Sequence, residues 1–292
     1  MNDLLSIFRS SPLIFIGFVT FISLLIGSFL NVVIARLPLI LKRNWRKECF
    51  EYLEIPNDDN DSKKISLFLP RSYCPKCKAT LKAKDNIPIL SYILLGGKCR
   101  SCKTHISLQY PIVESLTAIL CMMVAWKFGV TWQTAAGCLL TQVLVAQSGI
   151  DLKHKIIPDE ITISALWLAI TLSLVPIFCD SEASIIGAVC GYLSLWLMYW
   201  FFYLTTKKEG MGYGDFKLLA MLGAWLGWQM LPFIIIFSSI LGSIVGLSLL
   251  LFTQSTRNTR IPFGPFLAIA GWLALLWGPN INDWYLMQTG LY

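Results

Sequence analysis

Residues 12–35 read PLIFIGFVTFISLLIGSFLNVVIA, without one Asp, Glu, Lys or Arg. A helix needs about 20 predominantly apolar residues to cross the hydrocarbon core of a bilayer, where its backbone polar groups must be satisfied internally. This stretch meets that requirement. It is too long and too far along the chain for the core of a signal peptide, and no small-residue cleavage site follows it. Residues 218–256 are likewise uncharged, enough for two crossings with a break expected at Pro232. In all, eight segments read as spans: approximately 12–35, 111–128, 131–150, 160–179, 183–204, 216–231, 232–253 and 263–279. The whole chain of 292 residues is 55% apolar and 14% charged. Soluble domains are about 25% charged, which excludes an ordinary soluble protein, and the high apolar content excludes a disordered one. The expected fold class is an all-α polytopic membrane protein of about eight transmembrane helices.

One segment breaks the pattern. Residues 36–110 hold 15 of the 24 Lys and Arg against 7 of the 17 Asp and Glu, more net positive charge than the chain's overall +7. With eight spans, 22 of the 24 basic residues fall on one side, and only Arg9 and Lys127 on the other. Basic loops stay in the cytoplasm, so the polar insertion is expected to be cytoplasmic and both termini to lie across the membrane. The positive charge then reflects topology and not a nucleic-acid partner. Three parts result: a first transmembrane helix in 1–35, a cytoplasmic domain in 36–110, and a multi-helix membrane domain in 111–292.

Of nine cysteines, Cys49, Cys121, Cys138, Cys179 and Cys190 are scattered. The other four form two pairs, Cys74-Pro-Lys-Cys77 and Cys99-Arg-Ser-Cys102, with 21 residues between them. Two such pairs supply four thiolates in tetrahedral array, the donor set of a closed structural zinc site. An iron–sulfur cluster also uses four cysteines, but this spacing favours zinc, and a reducing cytosol disfavours disulfides. His105 lies close by, yet four cysteines fill the shell. A domain of roughly residues 70–110 is too small for a substantial core, so the metal would supply its folding free energy. Residues 54–64, EIPNDDNDSKK, read as a flexible excursion.

Two short polar turns interrupt the apolar second half. One runs from Gly149 through Asp151 to Pro158-Asp159; the other is Gly210-Met-Gly212-Tyr-Gly214-Asp215-Phe-Lys217. Asp151 is expected to end the third span and Asp215 to begin the sixth. Ionisable groups at membrane depth are costly and read first as functional. Two carboxylates brought close cannot both ionise easily, so one holds a proton while the other stays charged. That provides a general base to activate water and a general acid for the leaving group. A helix-boundary role would account for Asp215 and Asp159 through the macrodipole, but not for Asp151 at a C-terminal end. On the residues alone, catalysis and a carboxylate-lined conduit or scaffold both stand.

In order along the chain, Gly27-SFLNVVIARLP, Cys74-PKC, Asp85-NIPILSY, Cys99-RSCKTHIS, Tyr110-PIVE, the Asp151 turn, Gly210-MGYGDFKL and Ile261-PFGPFLAIAG resemble the bacterial prepilin peptidases, or type IV leader peptidases. The resemblance implies a bacterial inner-membrane aspartic endopeptidase that cuts the basic leader from type IV prepilins or pseudopilins at the cytoplasmic face. It implies Asp151 and Asp215 as the catalytic pair and Cys74, Cys77, Cys99 and Cys102 as zinc ligands. It also implies N-methylation of the new terminus from S-adenosylmethionine, assigned to 36–110, although no glycine-rich nucleotide loop marks where that donor binds. Gln109 departs from the arginine usual before Tyr110-Pro111. Other G-x-G-D intramembrane proteases lack the four-cysteine insertion. Glu114, Asp159 and Glu160 are candidate contacts for a basic leader. The Trp and Tyr residues read as interfacial belt and packing, His154 as a solvated loop residue, and Gly223, Gly227, Gly242 and Gly246 as sites of close helix packing.

Overall fold

The computed structural model describes residues 2–55, 66–69, 71–74, 76–81, 85, 87–208, 210–252 and 261–289. The expected excursion at 54–64 lies, beyond residue 55, outside them. Regular structure among the described residues is helical, apart from two isolated bridges, Tyr73–Thr80 and Lys98–His105. The helices are α1 (Asn2–Ser10), α2 (Pro12–Tyr52), α3 (Leu90–Leu94), α4 (Gln109–Phe128), α5 (Trp132–His154), α6 (Asp159–Leu172), α7 (Ser181–Thr206), α8 (Tyr213–Leu226), α9 (Leu231–Phe252) and α10 (Gly264–Thr289). Each of the eight expected spans overlaps a helix, although α6 ends at Leu172, short of the expected 179, and α8 at Leu226, short of 231. Five helices (α2, α4, α5, α7 and α9 with the turn before it) are long and apolar enough to cross a bilayer. The chain is an all-helical polytopic membrane protein, and many large apolar side chains on its helices are exposed, among them Leu13, Trp126, Phe201 and Phe252. Such faces suit hydrocarbon, not water.

Helix ends follow local chemistry. Ser11 precedes Pro12, whose missing N–H costs nothing in a first turn, and opens α2. The Thr131 and Asp180 side chains accept from the Thr134 and Ala183 amides at the starts of α5 and α7. Two of the boundaries that differ from expectation have a local cause. The first apolar helix does not stop at Ala35 but continues to Tyr52, carrying Pro38 inside it. Lys and Arg are good helix formers, so a helix need not end where the hydrocarbon does. The break expected at Pro232 lies instead at Gly227, whose φ of +85° turns the chain into a single 3-10 turn, Trp228–Met230. Pro232 then sits in the first turn of α9, where proline is tolerated.

The chain divides into two compact units, residues 1–130 and 131–292. In the first, α2 packs along α4. In the second, α8 is the central element: from Asp215 to Leu226 every residue but Lys217 is buried, against α7, α6 and α10. The Trp225 indole donates to the Ala165 carbonyl of α6 at 3.0 Å. The α7–α8 crossing is backbone on backbone: a Cβ at Gly187 would collide with the Gly223 carbonyl, and one at Gly223 with that of Gly187. A Cβ at Gly191 would lie 2.7 Å from the Leu219 carbonyl oxygen, and the Ser184 hydroxyl donates to Ala224 O at 2.7 Å. Of the four glycines expected at close contacts, Gly223 marks this one. Gly242 and Gly246 have only ordinary neighbours, at 3.5 Å.

Gly187→Ala is therefore expected to destabilise the second unit by about 1–3 kcal/mol through overpacking, whereas Gly242→Ala should be neutral or stabilising. Unfolding midpoints in detergent titrations check this; equal midpoints for the two variants would refute the close crossing.

Candidate functional site

The sequence leaves Asp151 as an anomaly, a carboxylate at the negative end of a helix dipole. The structure keeps it there, in the last turn of α5 and 5% exposed, and supplies the remedy from elsewhere. The N–H of Gly264, first residue of α10, donates to Asp151 Oδ2 at 3.1 Å. The carboxylate thus caps the positive end of a second helix, where anions are favoured. No side chain fits at that contact: a Cβ on Gly264 would stand 2.6 Å from the same oxygen.

Asp215 lies in the first turn of α8, 8% exposed, as the sequence suggested. Two contacts clamp its turn to that of Asp151. Ile157, between α5 and α6, wedges between them, so that Cβ atoms built on Gly214 and Gly264 would lie 2.9 and 3.1 Å from its side chain. Lys217 Nζ donates to Asp159 Oδ2 at 2.6 Å. Tyr213 and Phe216, either side of the aspartate, pack on Tyr199 of α7 with ring centroids at 5.4 and 5.7 Å. The two carboxylates are held within electrostatic reach of each other, and one turn before Asp151 the Gln147 side-chain amide donates to Thr162 Oγ1 of α6 at 2.8 Å. Two enclosed carboxylates so placed can divide acid and base work on one water.

The four cysteines gather in the first unit. The sulfurs of Cys74, Cys77, Cys99 and Cys102 all lie within 4.8 Å of one another, with Cys74 and Cys102 at 3.7 Å. A tetrahedron with Zn–S bonds of about 2.3 Å has edges of about 3.8 Å, so the cluster is of a size compatible with zinc. Two matching turns build it. In one, the Cys74 amide donates to Ala79 O and Lys78 N–H to Cys74 O; in the other, Cys99 to Thr104 O and Lys103 N–H to Cys99 O. Lys78 and Lys103 take matching φ values of 56° and 57°. The Thr104 hydroxyl and backbone beside Cys102 hold its thiol down at about 6, while burial and the neighbouring thiols push that of Cys77 up to about 11, so the four sulfurs are not alike without a cation between them. His105 is outside the cluster and pairs through its backbone with Lys98.

The other candidates disperse. Asp159 is taken by Lys217, while Glu114 is buried in the first unit and accepts the Ile89 N–H at 2.8 Å. Gly264 and Ile157 were not singled out from sequence: their roles are contacts across the fold, and only the Pro-Phe-Gly-Pro context hinted at a turn.

A bacterial peptidase A24 N-terminal domain model matches residues 21–128, and the type IV leader peptidase family model matches residues 138–247. The prepilin leader peptidase/N-methyltransferase of Stutzerimonas stutzeri is 49% identical over 97% of this chain and 97% of its own. Its counterpart in Pseudomonas aeruginosa is 49% identical over 98% and 99%, and that in Legionella pneumophila 44% over 90% and 92%. The chain belongs to the type IV leader peptidase family. No solved structure matches it. The two family models divide along the same line as the two compact units, one holding the cysteines and the other the aspartates.

Gly264→Ala should displace the Asp151 carboxylate by a large part of an ångström, and misplacement on that scale costs about 10²-fold in rate. The expected outcome is a well-inserted protein with peptidase turnover reduced on that order. Full turnover in a kinetic assay would show that Asp151 does not need its helix cap.

Proposed function

We propose that this chain is a membrane aspartic endopeptidase that removes the basic leader from type IV prepilins or pseudopilins and then N-methylates the new amino terminus. The observation that carries the reading is the pair of enclosed aspartates, Asp151 and Asp215, in two turns clamped together by Ile157 and by the Lys217–Asp159 pair. The Gly264 amide fixes one oxygen of Asp151, which leaves its partner oxygen to take a proton from water. Asp215, in its protonated form, donates to the carbonyl oxygen as the water adds. When the tetrahedral species collapses, Asp151 passes the proton taken from water to the departing amine, and Asp215 recovers a proton from the hydroxyl that becomes the new carbonyl group. The helices that open at these turns, α6 and α8, have 14 residues each, about 21 Å at 1.5 Å per residue. That is shorter than the roughly 30 Å core, so a turn at their N-terminal ends reaches below the headgroups and still admits water.

The location proposed is the bacterial inner membrane. With eight spans, 22 of the 24 basic residues would fall on the side of the insertion, which supports a cytoplasmic placement of the cysteine domain and both aspartate turns, with lipid against the exposed apolar faces. Cys74, Cys77, Cys99 and Cys102 would hold one structural zinc, whose binding free energy folds a domain with little core of its own. N-methylation comes from the relatives' name. We assign it to the segment around 36–110 together with the α2 and α4 helices that flank it, with S-adenosylmethionine supplying the methyl group, and peptide hydrolysis to the rest of 111–292.

Asp151→Asn and Asp215→Asn are each expected to lower prepilin cleavage on the order of 10³-fold or more, with the double variant hardly worse because the pair acts as a unit. Asp159→Asn loses a half-exposed ion pair worth about 0–1 kcal/mol and should slow cleavage only a few-fold. Mass analysis of a purified prepilin after incubation reads all four. Substantial cleavage by a well-inserted Asp215→Asn protein would end the aspartic mechanism. For the metal, elemental analysis should find about one zinc per chain, absent from a Cys74→Ser, Cys99→Ser variant whose 66–108 segment becomes protease-sensitive. A metal-free chain with that segment protected would refute a structural zinc.

A further inference from the structure

Two buried polar side-chain atoms among the described residues have no hydrogen-bond partner, Gln147 Oε1 and Asn31 Oδ1. The first lies one turn from Asp151 and belongs with the aspartate turns. The second is in the first unit, with no part in peptide hydrolysis. Asn31 is 1% exposed. Its amide orientation is settled by its neighbours: the nitrogen donates to Tyr110 O of α4 at 3.1 Å and to Gly27 O at 3.4 Å, both acceptors. The oxygen is therefore left facing away, needing a donor.

Beside it stands a second group in want of a partner. Glu114 is 6% exposed and lies one turn beyond Tyr110, and the α2–α4 contact is so close there that a Cβ on Gly27 would lie 3.0 Å from the Glu114 Cα. Its carboxylate accepts from Ile89 N–H at 2.8 Å, with the Ser28 side chain close by. Ser28 precedes Asn31 by three residues and so shares its helix face. No cation pairs with Glu114 among the described residues, and a carboxylate has about four acceptor positions, one of which the Ile89 amide takes. The Ile89 amide is itself supplied by a strained turn. Ile89 has φ 57° and ψ −51° at the centre of a Pro88-to-Leu90 hydrogen bond, a γ-turn geometry that is costly for a β-branched residue.

An orphan amide oxygen on α2 and a carboxylate without a counter-ion on the adjoining stretch of α4 are acceptors waiting for a cation that carries N–H bonds. A sulfonium centre has none, so the donor required is an ammonium, which a peptide's amino terminus and the amino-acid end of the methyl donor both carry; binding in the absence of that donor separates the two. We propose that Glu114, Ser28 and Asn31 bind the free α-amino group of the processed substrate and that Glu114 takes its proton for methyl transfer. This rests on the methylating half of the function proposed above. The ammonium gives one proton to the Glu114 carboxylate and keeps its other hydrogens on Asn31 Oδ1 and Ser28. When bound, S-adenosylmethionine supplies the methyl group, its carbon–sulfur bond breaking with the electron pair left on sulfur as the amine lone pair forms the nitrogen–carbon bond. Asn31 and Glu114 then hold the methylated ammonium that results.

The test uses the full-length protein in detergent and two synthetic peptides of a processed pilin's N-terminal sequence, one with a free amino group and one N-acetylated. Without any methyl donor, the unaltered protein should bind the free amine about 10- to 100-fold more tightly, the worth of a hydrogen bond to a charged group. Glu114→Gln should erase that preference while leaving affinity for the acetylated peptide unchanged. A residue that merely supports the fold would weaken both alike, and that result overturns the assignment, as does equal binding of the two peptides by the unaltered chain. Carbodiimide coupling, which joins an amine to an adjacent carboxylate with loss of water, needs no variant: the peptide amine should be recovered on Glu114, and its recovery solely on other carboxylates refutes the proposal. Methyl transfer from S-adenosylmethionine to a pre-cleaved pilin is measured in parallel. If the unaltered chain prefers and couples the amine but methylates nothing, the methyltransferase reading fails while the amine site stands.

Discussion

A single hydrogen bond, from the Gly264 amide to Asp151, organises the second unit. Asp151 is a buried carboxylate at the end of α5 where the helix's own dipole disfavours it, and an uncompensated buried charge costs several kcal/mol. The cure has to be a donor that is itself buried and aimed, and the first amide of α10 is one. This obliges a segment 113 residues further on to fold back onto α5, which α10 does along its length, with Trp272 donating to Thr141 of α5 at 3.2 Å. Once α5 and α10 are joined, α8 has to lie fully enclosed beside α10, and its enclosure demands that α7 approach without side chains at Gly187 and Gly191. The arrangement of the aspartate turns is thus inseparable from the packing of the helices.

Much of this was legible from the chain because the governing physics is local. An uncharged run announces a crossing whatever surrounds it, and two Cys-x-x-Cys turns announce a four-sulfur site because each turn sets its own pair of sulfurs. The positions of Asp151 and Asp215 at helix ends were legible too, as charges interrupting apolar runs. What escaped was set by contacts between distant segments. Hydropathy marks where hydrocarbon ends but not where a helix ends, so α2 outran its apolar stretch by a long basic extension. Proline looked the obvious breaker at 232, yet Gly227 turned the chain first because positive φ is open to glycine. Gly264 and Ile157 carry no signal of their own, since each matters only through what lies opposite.

The cysteine cluster obeys a different economy from the helices around it. Among its described residues the segment from Tyr73 to His105 has little regular structure beyond two isolated bridges and one short helix, and a segment of this size has little core by which to order itself. Its two turns repeat each other in hydrogen bonding and in the φ of the lysine after the second cysteine. A repeated turn that points four sulfurs inward makes sense if the enclosed partner, and not an apolar core, is the source of order. The Arg100–Asp85 pair at 2.6 Å, with Asp85 buried against it, ties the second turn to the chain leading into Ile89, and so couples that order to the loop covering Glu114.

Two of the buried carboxylates, Asp151 and Glu114, are met by a backbone amide instead of a lysine or arginine. A guanidinium would satisfy both oxygens at once and hold the group ionised, which removes it from acid–base work. One amide orients a carboxylate by one oxygen and leaves the other free for chemistry. The two amides differ in what stands behind them. That of Gly264 begins a helix of 26 residues, a rigid donor whose displacement would disturb the whole unit, as suits a group whose position must not vary between turnovers. That of Ile89 belongs to a turn held in a strained conformation, from which release is favourable once another donor takes its place. An N–H ligand arriving at Glu114 can therefore displace the Ile89 amide and let the turn relax, so the same hydrogen bond that fixes Asp151 as machinery leaves Glu114 exchangeable as a binding group.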